Sequence, residues 1–160
     1  MKKFLLTLGA VAVLGLAANA TKVTFNFETD TYGLPAYNAD MGNASPYVET
    51  PATITQDDVT IVLNGEINGT DTGWRLWSDG LRVYPKRNPS FTVSVKGENV
   101  TGVTWTGSSA ATFAEEGTDK NITAWSGDEE SVTFVCTASS NAALSSITVI
   151  YGEEFVPTEP

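Results

Sequence analysis

The sequence predicts an all-β fold, a two-sheet antiparallel β-sandwich wound in a jelly-roll-like way. Three observations predict it. Apolar residues alternate with polar ones along most of the chain, turn residues punctuate those runs, and no helical periodicity survives beyond the first twenty residues. Successive side chains on a strand point to opposite faces, so this alternation marks strands with one face buried and one wet. About nine or ten such runs are present, which suits two packed sheets better than one.

The N-terminus reads differently. Lys2 and Lys3 precede a mostly apolar run from Phe4 to Leu16, and Ala18-Asn19-Ala20 supplies small residues at a cleavage position. Residues 1–20 are therefore expected to be a secretory signal peptide. The run is short for a membrane span, and no cysteine at the cleavage site invites a lipid. The closing Phe155-Val-Pro-Thr-Glu-Pro160 offers no hydrophobic anchor. The expectation is a soluble mature chain in the periplasm or outside the cell. It would have one domain over 21–155, a frayed tail at 156–160, and no part inserted in a membrane.

Along that domain, Val23, Phe25 and Phe27 alternate with Thr24, Asn26 and Glu28. The same pattern recurs at Val59, Ile61 and Leu63, at Phe91, Val93 and Val95, at Val103 and Trp105, and at Ile147, Val149 and Tyr151. Turn signals fall at Asn64-Gly65, Asn68-Gly69, Asp79-Gly80, Lys96-Gly97 and Ser126-Gly127. Between Thr29 and Gln56 three prolines and three tyrosines (Tyr32, Tyr37 and Tyr47) interrupt the rhythm, and no strand is predicted there. A loop of that length either carries function or packs its rings over a sheet edge.

Chemistry is constrained mainly by what the chain lacks. There is no histidine and a single cysteine, so triads built on histidine, histidine metal sites, thiolate zinc sites and internal disulfides have no residues to form them. Cys136 shares a strand face with Val132, Phe134 and Ala138 and is expected in the core. Acidic neighbours occur at Asp57-Asp58, Glu115-Glu116, Glu129-Glu130 and Glu153-Glu154. Adjacent residues on a strand face opposite ways, so these pairs do not predict a glycosidase dyad. No catalytic residues are assigned, and no enzyme is expected. No cofactor is expected either. A structural calcium ion would draw on Asp57, Asp58, Asp71 or Asp79, although no loop spacing links them.

The formal charge of −10 becomes −12 once Lys2 and Lys3 leave with the leader. That acidity disfavours nucleic acid as a partner. Against it, four of the seven remaining cations lie between Arg75 and Arg87. They accompany the segment Trp74-Arg-Leu-Trp-Ser-Asp-Gly-Leu-Arg-Val-Tyr84, which reads as a β-hairpin. A type I′ turn at Asp79-Gly80 would set Leu76 against Val83 on the core side. On the outer side it would set Trp77 against Arg82 and Arg75 against Tyr84. Aromatic rings stack on sugar faces, and guanidinium forks bond hydroxyls or carboxylates. Cross-strand cation–π pairing also explains the same residues, and it needs no ligand. Trp74, Trp105 and Trp125 are expected in the core.

The succession Thr24-Phe-Asn-Phe27, Leu34-Pro35, Arg75-Leu-Trp77, Leu81-Arg-Val-Tyr84, Phe91-Thr-Val-Ser94 and Ile147-Thr-Val-Ile-Tyr151 resembles small secreted modules of Bacteroides- and Prevotella-like bacteria. Those modules are similar to carbohydrate-binding jelly rolls. The resemblance implies a sandwich and permits the Leu81–Tyr84 strand to be either scaffold or site. Together these readings give the expectation of a non-catalytic binding module. Arg75, Trp77, Arg82 and Tyr84 would contact a glycan, with Tyr32, Tyr37 or Tyr47 closing over them. The alternative is an adhesion or assembly protein whose partner is another surface protein.

Overall fold

The computed structural model describes residues 20–152; the expected signal peptide, the Glu153-Glu154 pair and the expected tail lie almost wholly outside them. Eleven strands form within that span: β1 (Thr21–Asn26), β2 (Ala52–Gln56), β3 (Val59–Asn64), β4 (Trp74–Trp77), β5 (Gly80–Val83), β6 (Ser90–Val95), β7 (Val100–Gly107), β8 (Phe113–Glu115), β9 (Ala124–Glu129), β10 (Ser131–Cys136) and β11 (Ala142–Tyr151). They make two antiparallel sheets. One holds β4-β5-β11-β7-β9 with β1 also paired to β11, and the other holds β2-β3-β6-β10-β8. From β5 to β11 each strand lies in the opposite sheet from the one before it. The chain thus winds around a single core, and the expected β-sandwich is the fold. No helix among the described residues is long and apolar enough to cross a membrane.

The alternating residues meet between the sheets. Phe25, Trp74, Leu81, Leu144 and Ile147 of the six-stranded sheet are fully buried, as are Ile61, Leu63, Phe91, Phe113 and Phe134 of the other. Trp105 bridges the layers, its ring 5.0 Å from Phe134 and 5.7 Å from both Phe91 and Phe113. Trp74, Trp105 and Trp125 all lie in the core, as their spacing predicts. Cys136 sits at its rim, half-buried, where the end of β10 runs out from between the layers.

Three expectations need correction. β2 falls inside the stretch read as loop. Its only fully buried side chain is Ile54, because it is the edge strand of its sheet. Ser126-Gly127 is not a turn but the middle of β9, and Gly127 is required there because a Cβ would stand 2.5 Å from the Trp125 ring. The hairpin register is also displaced. Trp74 opposes Val83, Arg75 opposes Arg82, Leu76 opposes Leu81 and Trp77 opposes Gly80, with Ser78-Asp79 as the turn. A type I′ turn needs positive φ at both central residues. Only Gly80 has it here, at 124°; Asp79 does not.

Candidate functional site

The register displacement is even, so every side chain of the hairpin keeps its predicted face. Trp74, Leu76, Leu81 and Val83 point into the core. Arg75, Trp77, Arg82 and Tyr84 project from the other side of the sheet, as the alternation predicts.

A distant segment folds onto that side. β4 is an edge strand, and its open carbonyls are taken up by the chain before β2. The Tyr37 N–H donates to Leu76 O at 2.8 Å and the Val48 N–H to Trp74 O at 3.0 Å. Thr72, buried, clamps the second junction by donating to Val48 O at 2.6 Å. Between these anchors the chain closes a small loop with one 3-10 turn at Gly42–Ala44. Ser45 holds it together, accepting the Asn38 N–H at 3.0 Å and donating to Gly42 O at 2.7 Å. The segment from Tyr37 to Val48 therefore covers an edge that would otherwise be free to pair with another chain.

Arg75 lies under that loop. It is only 7% exposed, and its Nη2 donates to Asn43 O at 2.6 Å and to Ser45 O. Its guanidinium carbon stands 4.5 Å from the Tyr47 ring centre and 4.7 Å from that of Trp77. No carboxylate pairs with it among the described residues. Its charge is met by two main-chain carbonyls and two π faces, and its Nε has no partner. The outward, ligand-contacting guanidinium expected at position 75 is thus a buried clamp for the loop, because the loop caps the face on which Arg75 projects.

The rest of the cluster is open. Arg82 stands 4.4 Å over the half-buried Trp77 ring and reaches Asp79 at 3.3 Å, with about a third of its side chain exposed. Burial pulls its pKa down, but Asp79 and the Tyr84 hydroxyl outweigh that and hold it above the ordinary arginine range. Tyr37 lies 4.2 Å from Trp77, and Tyr47 lies 5.6 Å from Tyr84. Two of the three loop tyrosines therefore join the face. Tyr32 does not: its ring packs on Phe25 and Phe27, and its hydroxyl accepts the Asn26 N–H at 2.6 Å. Sequence spacing could not separate these tyrosines, since nothing local distinguishes their destinations.

Behind Tyr47 a cleft of about 660 Å³ opens between Asn43–Thr50 and Ile67–Thr72. The sequence carries no sign of it, because its walls come from two loops that only the fold brings together.

The acidic pairs are dispersed. Asp57-Asp58 forms the β2–β3 turn, and Asp57 takes a left-handed φ of 53°. Glu115 ends β8, half-buried, while Glu116 is exposed. Burial pushes the Glu115 carboxyl up; the Trp125 indole opposes the shift and Glu129, from a different pair, adds to it. Among the described residues no three His, Cys, Asp or Glu gather as a metal site. Of the aspartates considered for calcium, Asp79 instead meets Arg82 and Asp71 lies 3.8 Å from Arg87.

Comparison with protein-family models, with curated proteins and with solved structures gives no match.

Proposed function

We propose that this protein is an exported, non-catalytic binding module whose ligand is a glycan. The observation that carries the reading is the aromatic face around Trp77. Four rings, Tyr37, Tyr47, Trp77 and Tyr84, lie together on the outer side of the sheet with the partly exposed Arg82 among them. Preorganised flat rings beside a planar donor are what a sugar ring needs, an apolar C–H face to stack and hydroxyls to bond. The resemblance to small secreted carbohydrate-binding-like modules points the same way, as does the signal peptide expected over residues 1–20. Trp77, Arg82 and Tyr84 are the contact residues in this reading, and Arg75 positions the loop that brings Tyr37 and Tyr47 to them.

A protein partner is the second reading, and one observation favours it. Met41 and Ile67, 49% and 58% exposed, are the large hydrophobic side chains left open to solvent among the described residues, and both lie on the loops around this face and cleft. Rings and arginine are also the residues that dominate protein interfaces.

Migration in polysaccharide-containing native gels separates the two. Glycan binding retards the protein in at least one gel, and Trp77→Ala abolishes the retardation while Trp77→Phe preserves part of it. A protein partner instead gives no retardation in any gel, and concentration-dependent association or co-purification that Ile67→Ser weakens. Release of reducing ends from any retarding polysaccharide, lost in Glu115→Gln, would overturn the non-catalytic part of the proposal.

A further inference from the structure

We infer that the binding site continues past Tyr47 into the adjoining cleft, and that this cleft takes a sugar unit without an acidic group, an amino sugar most tightly. The inference rests on the glycan reading above. Tyr47 links the two regions: its ring contacts Arg75 and Tyr84 within the aromatic face, and the same residue lines the cleft. At about 660 Å³ the cleft is the size of a small-ligand site.

Its walls define the chemistry. Thr50 and Thr70 supply hydroxyls, Glu49 and Asp71 supply carboxylates, and Ile67 supplies an apolar edge; no lysine or arginine lines it. The carboxylates accept from sugar hydroxyls and the threonine hydroxyls both accept and donate, while Tyr47 and Ile67 suit the C–H face of a pyranose. Two guanidinium groups reach residues of its lining, and both are already engaged there. Arg75 lies beneath the wall on the carbonyls of Asn43 and Ser45, and Arg87 faces Asp71 at 3.8 Å. Glu49 has no ion pair among the described residues. A uronate or sulfate entering the cleft would meet Glu49 without a compensating cation, a repulsive element of the kind that gives specificity. A protonated amine would meet attraction there.

Isothermal titration of the protein with glucose oligomers, glucosamine oligomers and glucuronate-containing oligomers tests the inference. Thr70→Trp fills the cleft from an exposed position, and Glu49→Gln with Asp71→Asn removes its charge. The expected order is glucosamine, then glucose, then glucuronate, with the first and last separated by at least about tenfold. Thr70→Trp is expected to weaken the favoured oligomer about tenfold or more at unchanged melting temperature, and the uncharged double variant to lose the amine preference. Glucuronate bound as tightly as glucose would overturn the inference and leave the glycan reading standing. So would binding that Trp77→Ala abolishes but Thr70→Trp does not touch. A broad glycan array with no binder at all would overturn both.

Discussion

Arg75 and Trp77 sit two residues apart on the same face of β4, and their surroundings give them different duties. Arg75 is fixed by charge-assisted bonds to main-chain carbonyls under a covering loop, where no water replaces a lost partner. Trp77 is half-buried, with contacts at the rim. Arg75→Met, which keeps the bulk and removes the donors, is therefore expected to cost about 2–4 kcal/mol. It should also speed amide exchange across residues 38–48. Trp77→Ala gives up cation–π contacts to the buried Arg75 and the partly exposed Arg82 and the ring contact with Tyr37, but leaves the Arg75 bonds to the loop carbonyls in place; it is expected to cost about 1–2 kcal/mol without that local opening. Urea titration and hydrogen exchange on the two variants check the contrast; equal protection of the loop in both would contradict it. Alternation alone placed both side chains on the outer face. It could not show that Arg75 is covered, because its lid comes from a segment far away in the chain.

Among the elements, the β4–β5 hairpin shows what local reading can and cannot settle. Its faces follow from period two and survive the two-residue displacement of register; its register depends on which residue adopts positive φ. Gly80 does so beside β11, where a Cβ would stand 2.5 Å from Leu144 O. Gly80→Ala should therefore destabilise the protein by more than about 1 kcal/mol, well above the cost of an ordinary glycine exchange. β2 escaped notice for a related reason. An edge strand buries little, so Thr53 and Thr55 around one buried Ile54, directly after Pro51, read as loop. At the opposite sheet edge, Glu115 makes stability depend on pH. Its carboxyl is raised in the folded state, so the native protein holds that proton more tightly than the unfolded chain. This contribution is present below the ordinary glutamate range and is lost as pH rises through the folded value. Glu115→Gln is expected to melt higher than the parent at pH 7, with the advantage vanishing near pH 4. An advantage that grows on acidification would show the sign to be wrong.

At the scale of the whole molecule, the core was the most legible part of the sequence. Alternating residues on successive strands converge on Phe134, whose ring lies 5.0 Å from Trp105, 5.1 Å from Phe91 and 6.3 Å from Trp125. Phe134→Ala should cost about 3–5 kcal/mol in chemical denaturation, and a loss near 1 kcal/mol would mean that the layers do not meet there. The candidate site was only half legible. Arg75, Trp77, Arg82 and Tyr84 are assembled on one face as expected. Which loop tyrosines join them, that Arg75 is enclosed, and that a cleft lies beyond Tyr47 are all set by long-range docking of the segment before β2. Such docking leaves no periodic trace in the sequence.

The proposed function stands or falls on whether this face binds sugar. A glycan array on the purified protein, run with calcium and again with EDTA and with Trp77→Ala alongside, measures that most directly. The expected result is selective binding that EDTA leaves intact and that the folded variant has lost. A blank array from folded protein, or binding undiminished by Trp77→Ala, would contradict it.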